Sequence, residues 1–181
     1  FWRRRMMREY LWFGLFALFI SAYVAAQTYV VGDALGEAHD KATFVFVFLA
    51  LPSFLLFLRV FLRAPLSTPW RAWLVAHALW SVAALAWPTT WLLHRFLLWW
   101  ELVLLVPLMI GTVALIVKQM KRGDPEARTV ALAVALLVAT AANNVVRTLG
   151  VVTIEMTNVA FAGSVIVMAV SLSNRFTRAY V

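Results

Sequence analysis

Seven polar residues interrupt otherwise apolar stretches of this chain: His77, Glu101, Asn143, Asn144, Arg147, Asn158 and Ser164. Inside a hydrocarbon layer a polar group is costly, so each needs a partner or a function. His77 has two readings. As chemistry it is a haem ligand or a proton-linked switch; as structure it is a histidine hydrogen-bonded to a neighbouring helix. A bis-histidine haem needs a second histidine at similar depth, and His39 and His94 lie at or beyond the opposite boundary of the layer. The structural reading is therefore the preferred one. Glu101, Asn143, Asn144 and Arg147 share a layer near that opposite boundary, with Asn158 at the start of the next apolar run. They read either as a polar pocket for a ligand or for the tip of an extracytoplasmic domain, or as a structural set. In the structural set Glu101 pairs with Arg147, the asparagines bond between helices, and Arg147 snorkels outward. The simpler set is again preferred.

Several chemistries are excluded by residue type or depth. Retinal needs a lysine deep in the membrane, whereas Lys41 and Lys118 fall at segment ends. Intramembrane metalloproteases need paired histidines with acidic ligands. Ser164 and His77 lie at opposite depths and cannot act together, and no glycine loop of the phosphate-cradling kind is present. With no cysteine there is no disulfide, thiolate metal site or thiol nucleophile. No catalytic residue, metal or cofactor is expected.

The elements that position these residues are membrane helices. The chain is 64% hydrophobic and 13% charged, well beyond the apolar share of a soluble domain. A spanning helix needs roughly 20 mostly apolar residues. Six segments qualify, at about 9–30, 42–63, 70–88, 95–118, 126–147 and 157–174. They are too long, and too weakly alternating, for barrel strands. The fold class is thus an all-α membrane protein, a bundle of six transmembrane helices.

Charge fixes the orientation. The basic residues Arg3, Arg4, Arg5, Arg8, Arg59, Arg63, Arg71, Lys118, Lys121, Arg122, Arg128, Arg175 and Arg178 all lie in or beside alternate gaps, and only Lys41, Arg95 and Arg147 of the sixteen lie in the others. Gaps rich in Lys and Arg stay cytoplasmic. Both ends of the segment are therefore expected on the cytoplasmic side of a multi-pass membrane protein. The +8 net charge sits in short clusters at helix ends with no continuous basic face, which argues against nucleic acid as a partner. The lipid bilayer is the partner the composition demands.

Local signals punctuate the runs. Gly123 suits a helix C-terminus, and Asp124-Pro125-Glu126 suits the next N-terminus. Pro69 before Trp70 marks a helix start, and Pro52 and Pro107 are expected to kink their spans. Eight tryptophans fall near span boundaries, with Trp80 deeper, as an interfacial belt requires. Ala131, Ala135, Ala139 and Ala142 on one face, and Ala160, Gly163 and Ser164 on another, predict close packing within the bundle, with a homodimer interface as the alternative.

Two stretches resemble a known family. Arg3-Arg4-Arg5-Met6-Met7-Arg8-Glu9-Tyr10-Leu11-Trp12-Phe13-Gly14-Leu15 is similar to the opening of the second helix of the bacterial seven-transmembrane receptors with diverse intracellular signalling modules. Val170-Ser171-Leu172-Ser173-Asn174-Arg175-Phe176 resembles that family's last helix running into a cytoplasmic linker. The resemblance spans the whole chain as a pattern of spans and loops. It implies that the six spans are helices two to seven, that Arg3 to Arg5 form the turn after a first helix, and that 176–181 begin a linker. The opening on Phe1 fits a segment of a longer protein. It also implies an extracytoplasmic sensor domain and a cytoplasmic signalling domain in the same polypeptide, with Ser173, Asn174 and Arg175 passing the signal out. A small transporter or channel using Glu101 and His77, and an accessory subunit of a larger complex, are the competing readings.

Overall fold

The computed structural model describes residues 2–26, 37–86, 98–151 and 157–180. The outer connections expected at 31–36 and 88–91, with Trp87, Trp91, His94 and Arg95, lie outside these residues. Among the described residues there are six helices and no strand: α1 Trp2–Ala26, α2 Glu37–Phe61, α3 Thr68–Ala86, α4 Leu98–Lys121, α5 Pro125–Thr148 and α6 Thr157–Tyr180. All except α3 are long and apolar enough to cross a membrane. This is an all-α membrane bundle, as its apolar runs require.

Helices begin and end where backbone chemistry allows. Three of them close the same way, with a left-handed residue after the last turn and a pair of reversed hydrogen bonds. After α4 that residue is Gly123, φ 78°, with Asp124 N–H bonding Gln119 O at 3.1 Å and Gly123 N–H bonding Met120 O at 3.0 Å. Gly150, φ 91°, does the same for α5. Arg63 does so for α2 at φ 54°, a conformation that costs a side-chain-bearing residue. Asp124 then caps α5, accepting from Glu126 N–H at 2.9 Å, with Pro125 in the first turn. The helix-end signals at Gly123 and Asp124 act as their sequence predicts.

Two boundaries differ from the sequence reading. Arg3 to Arg5 are helical, so the basic turn expected there is part of α1. Arginine is a good helix former, and its position beside a span does not oblige the backbone to turn. Residues 37–41, expected within a loop, form the first turn of α2.

The chain divides into two compact units, residues 1–100 and 101–181. In the first, α1 packs on α2 and α2 on α3. Phenylalanines are prominent in its core: Phe16 and Phe54 pack tilted at 5.3 Å, and Phe13 and Phe57 tilted at 5.6 Å. In the second, α4 packs on α5 and α5 on α6. The buried positions of α5 are Ala127, Val130, Ala133, Val134 and Leu137. The alanine face 131, 135, 139 and 142 is not the buried one, since Ala135, Ala139 and Ala142 are exposed. Bilayer and protein interior are equally apolar, so periodicity could not say which side of α5 would be covered. Ala160, Ser164 and Gly163 do meet their neighbour closely: a methyl group at Gly163 would sit 3.5 Å from Leu136.

Candidate functional site

In the first unit a histidine repairs a proline. Pro52 lies inside α2 and has no N–H, so the carbonyl four residues earlier, Phe48 O, loses its helical partner. His77 on α3 supplies one, with Nε2 2.7 Å from Phe48 O. A carbonyl only accepts, so Nε2 carries the proton. The bond is fully buried, His77 being 1% exposed. This is how a membrane helix tolerates an internal proline: a neighbouring helix re-satisfies the freed group.

Aromatic rings enclose the imidazole. Trp73, one turn earlier on α3, stacks on it at 4.8 Å and 25°. Phe48 meets it edge-on at 6.0 Å, and Trp100 lies 6.0 Å away. Trp73 and Trp100, assigned by sequence to the interfacial belt, are buried here and serve the cage. The set continues to the turn between α2 and α3. Trp70 stands 6.3 Å from Trp73, Arg59 lies over the Trp70 ring at 4.8 Å, and Arg59 Nη1 donates to Pro65 O at 2.9 Å. The hydrogen bond to a neighbouring helix, one of the two sequence readings of His77, is present in this geometry. Among the described residues no cluster of potential ligands could hold a metal ion.

The second unit holds the remaining candidates. Glu101 opens a π-turn, Glu101–Leu105, and is 5% exposed. Pro107 follows two residues later; its missing N–H and its ring displace the regular ladder, which is where such wide turns arise. Asn144 on α5 is tied to α6, its Oδ1 accepting from Thr157 Oγ1 at 3.2 Å. Asn143 is half-buried, whereas Arg147 and Asn158 are exposed. Ser164, fully buried, donates to Ala133 O across the α5–α6 contact at 3.1 Å.

At the opposite end of the same pair, Arg175 Nη1 meets Glu126 Oε2 at 3.3 Å, with side chains only 10% and 16% exposed. Sequence reasoning singled out Arg175 as an output residue but read Glu126 only as a helix-start signal. Antiparallel neighbours place the N-terminus of α5 beside the C-terminus of α6, so an acid and a base at matching depth could have pointed to the pair. Ser173 and Asn174 are exposed on α6. Other buried hydroxyls, Ser53, Thr140 and Ser171, bond the carbonyl one turn back in their own helix and line no site.

Multiple apolar helices with polar ties between them define a multi-pass membrane protein. The model of the 7TM diverse intracellular signalling family matches residues 1–175, and the chain belongs to that family. Its role is transmembrane signalling. No curated protein and no solved structure gives a match.

Proposed function

We propose that this chain is the membrane relay of a bacterial inner-membrane receptor, passing an extracytoplasmic signal to a cytoplasmic output module of the same polypeptide. The observation that carries this is α6. It runs unbroken from Thr157 to Tyr180, beyond the family match ending at 175, so the expected linker region at 176–180 continues the helix. A rigid rod of 24 residues transmits displacement or rotation, which a loop would absorb. Ser173 and Asn174 lie on its exposed side, where a following module would read its position, and Arg175 ties it to α5. Both ends of the segment are cytoplasmic in this reading, which places Asn144, Thr157 and Asn158 outside, toward a sensor domain. Glu101, Asn143 and Arg147 belong to the same outer layer. Signalling then requires two arrangements of the helices of similar free energy, which the signal biases by binding one better.

The test uses the full-length receptor. Removing everything after residue 175 should abolish output while leaving membrane insertion intact. Two glycines inserted after Phe176 should reduce output strongly by breaking the rod. Full output from the glycine insertion would refute the relay, and solute flux through liposomes holding only this chain would favour a transporter.

A further inference from the structure

Among the described residues, polar ties join α5 and α6 at three depths. The outer tie is Thr157 to Asn144, the middle one Ser164 to Ala133 O, and the inner one Arg175 to Glu126. They differ in kind. The middle tie anchors a side chain to a backbone carbonyl at 0% exposure, beside Ala160 and Gly163. The outer and inner ties join side chain to side chain, so each holds only while the helix ends it joins stay within reach.

We propose that α6 is a lever with its fulcrum at Ser164, and that the Glu126–Arg175 ion pair is the latch on its cytoplasmic arm. Ser164 is seven residues from Thr157 and eleven from Arg175, giving arms of about 10 Å and about 16 Å at 1.5 Å per residue. A sideways displacement of the outer end is therefore returned at the inner end enlarged about 1.6-fold and reversed in direction. The inner pair sits at 3.3 Å, close to the limit of an ion pair, so an outer shift on the order of 1 Å is enough to open it. Breaking the outer Asn144–Thr157 bond and breaking the inner latch are then two views of one motion, and the coupling between them is reciprocal. The lever deepens the relay reading above and rests on it for its biological meaning, not for its geometry.

These 181 residues contain no cysteine, so labels can be placed in them without removing native residues, and any cysteine elsewhere in the full-length receptor is first replaced by serine. One pair is introduced at the exposed inner positions by Arg128→Cys and Phe176→Cys, and another at the exposed outer positions by Val146→Cys and Val159→Cys. Label distances are measured in the full-length receptor in nanodiscs by double electron–electron resonance. Glu126→Arg should shift both distances, the inner one about 1.6 times as far as the outer. Combining Glu126→Arg with Arg175→Glu should restore both. Thr157→Val should move the inner distance although it lies at the far end. Should Glu126→Arg fail to insert, Glu126→Gln gives a smaller shift of the same ratio. An inner shift without an outer one, or a silent inner end in Thr157→Val, overturns the lever. Output is recorded on the same variants: distances that move with output unchanged refute the relay reading and leave the lever standing.

Discussion

His77 and Pro52 make a prediction that separates repair of a helix from simple packing. Replacing His77 by phenylalanine keeps a ring of similar breadth between Trp73 and Phe48 but removes the donor that reaches Phe48 O at 2.7 Å. The carbonyl then has no partner, because Pro52 cannot provide one. A buried orphan carbonyl costs about 1–3 kcal/mol. Bonds between membrane helices average only about 0.6 kcal/mol, since the unfolded chain in the bilayer also finds partners. A loss of about 1–2 kcal/mol is expected for His77→Phe. In a Pro52→Ala background the helix supplies its own N–H to Phe48 O, and the same His77→Phe substitution should cost about 1 kcal/mol less, because no orphan remains. The coupling is read by a double-mutant cycle, unfolding the protein in mixed micelles and following tryptophan fluorescence, to which Trp73 and Trp100 beside the imidazole contribute. If the cost of His77→Phe is the same in both backgrounds to within about 0.3 kcal/mol, the two residues act independently and the repair is refuted.

Two further changes test the local chemistry. Gly123→Ala should destabilise by about 1 kcal/mol, because φ 78° is unfavourable for a Cβ, whereas Arg63→Gly at φ 54° should stabilise by a similar amount; opposite shifts in thermal midpoint would bear this out, and equal signs would not. Ser164→Leu should cost about 1–3 kcal/mol by overfilling a fully buried contact between α5 and α6, while Leu132→Ala on the exposed side of α5 should cost under about 0.5 kcal/mol; comparable losses in micellar unfolding would refute the assignment of the buried face.

Much of the candidate site was visible as residue types before it was visible as geometry. His77, Ser164 and Asn144 were each singled out because a polar group in an apolar run must be satisfied, and Arg175 because the resemblance put it where the last helix meets a linker. Their partners were not legible. Pro52 inside a span already marks Phe48 O as the carbonyl left without a helical partner, but the sequence does not say which side chain of another helix reaches it. Trp73 and Trp100 carried an interfacial signal strong enough to hide their place in the cage. Glu126 carried a helix-start signal that masked its role as the counter-ion of Arg175.

What the sequence determined by itself was everything that follows from local chemistry: apolar runs that must be helices in a bilayer, glycine at left-handed φ, aspartate and proline at helix starts, and basic residues beside alternate gaps. Each depends on neighbours within a few residues along the chain. What only the tertiary structure decided was rotation and pairing: which side of α5 is covered, which carbonyl His77 reaches, and which acid meets Arg175. In water the apolar side of a helix announces its own burial. In a membrane, lipid and protein offer the same apolar surroundings, so the buried face of α5 is set by packing against its neighbours and not by hydrophobicity.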